Sequence, residues 1–283
     1  MIKDIIKSTI VASIFSQMIY ANHIWVAVES KSDDFKGQEY LVTKKLAKLK
    51  DEISYAWDKG FEVTDLEYGY HKWMAIFSKK DKKLHQAYGI TTYLTQMIKL
   101  AKKYQKNGFT IKDLEVGSVE WIAIFEKNPK IKSQKIEISE DLLEFKKIVR
   151  ANIDNGYKVI DIEYGDDSWV GVFAKTDIIK KQTFVSEDNW YDTRKDIKER
   201  WKDGFDLTKL EYGDGNWIAI FSKGLNYKTQ AYDGATDIGL LENNIKLRWK
   251  NDFYITTISD GRDWFFVLLK RDFISFYNFI SSK

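Results

Sequence analysis

The chain has 283 residues, of which 44% are hydrophobic and one is proline, and its formal charge is only +3. That balance describes a folded body without proline-rich linkers and gives no reason to expect nucleic acid as a partner. The absence of cysteine excludes disulfides, thiolate metal sites and cysteine nucleophiles together.

In chain order, residues 1–21 carry Lys3 and Lys7, a mostly apolar run from Thr9 to Tyr20, and the small residue Ala21. This is the texture of a secretory signal cleaved after Ala21, which predicts a periplasmic or secreted mature chain of residues 22–283. An amphipathic helix kept in the mature protein is the alternative. No other segment is long and apolar enough to span a bilayer, so no transmembrane span is expected.

From there the chain repeats itself. Trp25, Trp73, Trp121, Trp169 and Trp217 are each 48 residues apart, with Trp264 one residue early. Gln38, Gln86, Gln134, Gln182 and Gln230 keep the same spacing, as do two glycine series, Gly60 to Gly204 and Gly69 to Gly261. Four residue series in one register define a tandem array. The units are approximately 22–41, 42–89, 90–137, 138–185, 186–233 and 234–283, forming one domain.

Each unit reads as a helix followed by three strands. Leu46, Leu49, Ile53 and Trp57 fall at near-helical spacing, and Ile238, Leu241, Ile245 and Trp249 repeat the stripe. Gly60 sits where a helix C-cap needs positive φ, and Asp252 is a workable substitute in the fifth copy. A first strand, Phe61 to Tyr68, leads through a glycine-centred turn into a second, Trp73 to Phe77, which is apolar on both faces and so should be covered on both. Its small third position (Ala75, Ala123, Gly171, Ala219) would let a helix pack closely. A short third strand is centred on the glutamine. The N-terminus supplies only a second strand (His23 to Glu29) and a third, whereas the C-terminus supplies a helix, two strands and an aromatic tail, Asp272 to Ile280. The predicted fold is therefore α+β, tandem helix plus three-stranded antiparallel repeats. Closure into a propeller-like ring is expected, with five- or six-fold closure and an open solenoid left as alternatives.

The pattern Trp-x-x-Gly-[Phe/Tyr]-x-[Ile/Val/Leu]-Thr, then a strand pair ending in Phe-Ser-Lys, then a lone Gln, is carried by Trp57 to Thr64 with Ile76 to Lys79, and by Trp201 to Thr208 with Ile220 to Lys223. It resembles a poorly characterised repeat from the C-terminal regions of plant casein-kinase-I-like kinases and from scattered bacterial proteins. The resemblance covers nearly all of residues 22–270. It implies no kinase activity, because no glycine-rich loop or HRD-type sequence is present.

For chemistry, the repeated tryptophans read as core anchors rather than ligand platforms. The glutamines Gln38, Gln86, Gln134, Gln182 and Gln230 are expected to bond the backbone of neighbouring units and set their register, or else to form an axial polar ring around a ligand. Glu67, Glu115, Glu163 and Glu211, with Asp166, Asp167 and Asp214, hint at carboxylate pairs, which turn chemistry explains without a ligand. His23, His71 and His85 do not recur, so no metal site, catalytic residue or cofactor is expected. The connections after the second strand are lysine-rich: Lys80, Lys82, Lys83, Lys130, Lys132, Lys180, Lys181 and Lys228 form a basic rim opposite an acidic one. The expected function is an exported, non-catalytic binding or scaffold module, with a protein or an anionic envelope component as its partner on that basic rim. The alternative is an enzyme that acts on a polar small molecule or glycan through axial Glu and Gln residues.

Overall fold

The computed structural model describes residues 18–267, and they form five units of one helix on a three-stranded antiparallel sheet. The elements are β1 (Met18–Lys31), β2 (Phe35–Thr43), α1 (Leu46–Asp58), β3 (Glu62–Gly69), β4 (Lys72–Lys80), β5 (Gln86–Thr91), α2 (Leu94–Lys106), β6 (Thr110–Val116), β7 (Trp121–Glu126) and β8 (Ile131–Ser139). They continue with α3 (Leu142–Asp154), β9 (Lys158–Gly165), β10 (Ser168–Thr176), β11 (Lys181–Glu187), α4 (Trp190–Lys202), β12 (Asp206–Gly213), β13 (Asn216–Lys223), β14 (Thr229–Ala235), α5 (Ile238–Trp249) and β15 (Tyr254–Val267).

The tryptophan strand is central in every sheet. The orders are β2-β4-β3, β5-β7-β6, β8-β10-β9, β11-β13-β12 and β14-β1-β15. The glutamine strand therefore belongs to the sheet that follows it in the chain, and a structural unit starts at that strand rather than at the helix. The fifth sheet takes β14 and β15 from the C-terminal side and its central strand, β1, from the N-terminal side. This corrects the reading of two C-terminal strands. β1 occupies the central place, so β15 has no hairpin partner of its own and runs unbroken from Tyr254 to Val267 along β1. Trp264 lies in that strand, paired with Ala21, and starts no sixth unit. Of the expected signal segment, Met18 to Ala21 are in β1 and the rest lies outside the described residues, as does the aromatic tail.

Helix ends follow the sequence chemistry. Gly60, Gly108, Gly156 and Gly204 have φ between +73° and +86°, and Asp252 takes the same place at +60°. Asp141, Asn189 and Asp237 cap three helix N-termini through their side chains. Each helix then fills the gap between two sheets. Leu49, Ile53 and Ala56 of α1 lie against Trp73, Ala75 and Phe77 of their own sheet and against Ile122 and Ile124 of the next. α5 likewise joins Trp25 and Ala27 to Met74 and Ile76, and α4 joins Trp217 and Phe221 to Ile24, Val26 and Val28. This sandwiching covers both faces of each central strand, and all five repeat tryptophans are buried in core clusters.

Candidate functional site

The first β-strand after each helix (β3, β6, β9, β12, β15) carries a β-bulge at the same point. The register with the central strand shifts between Val63 and Asp65, between Ile111 and Asp113, and between Leu207 and Lys209, with matching shifts in the other two sheets. An extra residue inverts the alternation of side chains beyond it. Without the bulge, Asp65 would share the core face with Val63. With it, Val63 and Leu66 both enter the core while Asp65 and Glu67 leave it on the opposite face. The same inversion applies to Asp113 and Glu115, Asp161 and Glu163, and Lys209 and Glu211.

Two polar layers result. In the deeper one, the Lys209 ammonium stands 2.8 Å from Asp161 Oδ1, 3.0 Å from Asp113 Oδ1 and 3.4 Å from Asp65 Oδ1. All four side chains are buried. Burial works against the lysine charge, but the carboxylates of Asp113, Asp161 and Asp65 outweigh it and hold its pKa well above the usual value. Burial likewise raises Asp65 to about 6 and Asp161 to about 7, with Lys209 opposing the rise. Backbone amides secure two of the acids: Ile258 N donates to Asp65 Oδ2 and Leu114 N to Asp161 Oδ2. In the fifth sheet this position is Thr257.

The upper layer holds Glu67, Glu115, Glu163 and Glu211, with Ser259 as its fifth member. Each glutamate is at most 4% exposed, yet all four line a cavity of about 820 Å³ to which every sheet contributes. Burial is the main cause that pushes all four carboxyls well above the ordinary range; neighbouring glutamates add to it for Glu67, Glu115 and Glu211, and Asp161 and Asp113 for Glu163. Glu67 Oε1 accepts from Asp260 N at 2.8 Å. Glu67 Oε2, Glu115 Oε2, Glu211 Oε2 and Ser259 Oγ have no hydrogen-bond partner.

The mouth is framed by the β3–β4 and β12–β13 turns and by Gly261 and Arg262 of β15. Tyr70 and His71 both have positive φ, as do Asp166 with Asp167 and Asp214 with Gly215, which is the backbone of tight two-residue hairpins. The recurrent glycine stands one residue before these turns, and its reason is contact rather than conformation. A Cβ at Gly69 would overlap the Asp260 side chain, one at Gly117 would overlap Trp73, and one at Gly213 would overlap Tyr164. His23 Nε2 lies 2.6 Å from Asp260 Oδ1. Burial, then Arg262 and Lys72, lowers His23 to about 4, while burial raises Asp260 to about 8.

The glutamines occupy a different place. Gln86 Oε1 accepts from Val63 N at 2.8 Å and Gln86 Nε2 donates to Val63 O at 2.9 Å, so one side chain continues the β-ladder of the neighbouring sheet. Gln38 does this with Ile255, Gln134 with Ile111, Gln182 with Val159 and Gln230 with Leu207. Trp57, Trp201 and Trp249 add an indole N–H to the same amides. All five amides are engaged by backbone between sheets, and none lines the cavity.

The basic rim lies at the other end of the central strands. Lys132 pairs with Asp177, Lys228 with Asp33 at 2.5 Å, and Lys80 approaches Glu62 at 3.8 Å. Lys83 donates to Trp57 O at 2.6 Å, Lys180 packs beside Gly224, and Lys181 lies over the Phe205 ring; Lys82 and Lys130 are exposed. Among the described residues, no group of three or more His, Asp or Glu side chains is arranged to hold a metal ion, and no helix is long and apolar enough to cross a membrane.

Compared with known families, residues 65–272 match a domain of unknown function, DUF7477. The chain belongs to this family. None of the curated proteins matches it. The DUF7477 match runs from Asp65, the first acid of the deeper layer, to a point beyond β15, and so contains both polar layers.

The deeper layer was the part hidden from sequence reasoning, whereas the upper glutamates were singled out but set down to turn chemistry. Asp65, Asp113, Asp161, Lys209 and Thr257 share one 48-residue register, as do Glu67, Glu115, Glu163, Glu211 and Ser259. The single lysine among three aspartates was the available signal.

Proposed function

We propose that this DUF7477 chain is a non-catalytic binding module whose five units close into a propeller-like ring and whose ligand enters the acidic cavity. Three relationships support closure. β1 completes the fifth sheet, Gln38 of the first sheet clasps Ile255 of the fifth, and Asp260 packs against Gly69. The observation that carries the binding reading is the set of buried glutamates from three different sheets, each with an unpartnered oxygen and each lining one cavity. An orphaned buried polar atom costs about 1–3 kcal/mol, a cost that a ligand removes. The cavity volume falls in the range that suits small molecules. Docking on the lysine loops has less support, because Lys132, Lys228 and Lys83 are already engaged within the chain.

The test is a thermal-shift screen of polar small molecules against the native chain and a variant carrying E67Q, E115Q, E163Q and E211Q. A compound that stabilises the native chain and loses its effect on the variant supports the reading. A library without such a compound sinks it. The enzyme alternative uses the same carboxyls, so hits are followed by NMR: a ligand recovered unchanged favours binding, and a new product favours catalysis. Export belongs to the same proposal and predicts a mature chain that begins at Asn22, read by N-terminal sequencing of the secreted protein.

A further inference from the structure

We propose that the cavity is a seat for a primary ammonium group, carried by a small aliphatic diamine or polyamine. The inference rests on the binding reading above and specifies its ligand class.

The chain already builds one such seat. In the deeper layer the Lys209 ammonium is held by single oxygens from three acids on three sheets. An ammonium has three N–H donors on a tetrahedral nitrogen, and three convergent acceptors satisfy it. The upper layer lies two residues further along the same strands, with glutamate in place of aspartate and no lysine among its members. Glu67 Oε2, Glu115 Oε2 and Glu211 Oε2 are its unpartnered oxygens, again three in number and again from three sheets. The fourth acid, Glu163, lines the same cavity. The seat thus has the acceptor number of the one below, and what it lacks is the donor.

Competing ligand classes fit less well. A quaternary ammonium has no N–H to offer these oxygens. A guanidinium is planar and suits paired oxygens of one carboxylate, whereas each orphan here is a lone oxygen from a separate side chain. Among the described residues no acid cluster is arranged for a metal ion. The two layers hold seven acids and one internal lysine. Above the seat the cavity walls include Tyr68, Tyr164 and Tyr212, whose rings suit the methylene stem of an amine.

The experiment is isothermal titration of the full chain with 1,4-diaminobutane, spermidine, tetramethylammonium, guanidinium, magnesium and a neutral polyol. The expected result is one amine site per chain, with both amines binding about tenfold or more tighter than the other probes. E115Q should weaken amine binding by about tenfold, and E140Q, on an exposed loop, should leave it unchanged. S259K is a second variant, independent of how a buried glutamine affects the fold. It places a tethered ammonium at the vacant fifth position, so it should raise the melting temperature and abolish amine binding. Amine binding that survives both E115Q and S259K overturns the inference by placing the site elsewhere. Binding of the polyol or tetramethylammonium in preference to the amines, with the same dependence on Glu115, overturns the ammonium class and leaves the cavity as the ligand site. If neither these probes nor the small-molecule screen gives a glutamate-dependent ligand, both readings fall.

Discussion

Lys209 and Asp161 occupy the same position of successive repeats, yet they carry opposite charges and stand 2.8 Å apart in the interior. A tandem array with identical residues at this position would bring like charges together. The substitution of one lysine among three aspartates turns that repulsion into a buried network. Removing one partner of such a network leaves uncompensated charge, which typically costs about 3–5 kcal/mol. K209M should therefore destabilise the chain by about that amount in urea unfolding. Adding D161N to K209M should recover part of the loss, since it removes one of the stranded acids. A K209M chain as stable as the native one would mean that the three aspartates are neutral in the folded state.

The acidic layers also set the pH dependence of stability. Asp65, Asp161 and Asp260 have folded pKa values of about 6, 7 and 8, above their unfolded value of 3.8. Over that interval the folded chain holds more protons than the unfolded one, so stability falls as pH rises, by up to about 1.4 kcal/mol per pH unit for each group. The four glutamates shift in the same direction. His23, lowered to about 4, acts oppositely and adds stability between about pH 4 and 6.5. Lys209, raised above 10.5, contributes a constant amount below that value. One histidine against several carboxyls decides the sign: the melting temperature should drop from pH 5 to pH 8. The E67Q, E115Q, E163Q and E211Q combination should flatten that slope.

The glutamine clasps give a prediction that bears on ring closure. Gln182 Oε1 accepts from Val159 N, and its Nε2 donates to Val159 O and Ser222 Oγ. Q182L orphans two buried backbone groups and should cost roughly 2–4 kcal/mol. Gln38 makes the equivalent bonds between the first and fifth sheets. In a closed ring Q38L carries the same cost as Q182L. In an open array the Gln38 clasp would join the two ends only intermittently, and Q38L would be nearly neutral in equilibrium unfolding.

Much of the scaffold was legible because periodic residues have local or nearest-neighbour duties. Gly60 must accept positive φ, Trp73 must fill a core, and Gln86 must satisfy a strand, and each duty is the same in every unit. What escaped the sequence depended on facts that are not periodic in composition. The bulge before Asp65 has no fixed residue type, since Thr64, Lys112, Ile160, Thr208 and Thr256 occupy it in turn. Strict alternation therefore hid the inward aim of Asp65 and Glu67. The pairing of β1 with β14 and β15 joins the two ends of the described chain, and the split of one unit between those ends pointed to it, although not to the single long β15. Trp264 matched the register closely enough to imitate another unit, although it lies in the long strand β15.

Glu29 marks where the N-terminal strand departs from its siblings. Phe77, Phe125, Phe173 and Phe221 are buried at the corresponding position of the other central strands, and Glu29 is as fully buried as they are. Neither of its carboxyl oxygens has a partner. Burial, then the nearby Asp233, raises its pKa well above the ordinary value, with Arg248 opposing. Arg248 itself is committed to Asp233, Nε to Oδ2 at 2.6 Å. A buried, unsatisfied carboxyl costs about 1–3 kcal/mol, and methionine has a similar length without the polar atoms. E29M should therefore stabilise the chain by about 1–3 kcal/mol. The gain should grow with pH, because a raised carboxyl withdraws stability as pH climbs from its unfolded value toward its folded one. Urea unfolding of both chains at pH 5 and pH 8 measures both effects, and an E29M chain less stable than the native one would show that Glu29 is satisfied by Arg248 after all.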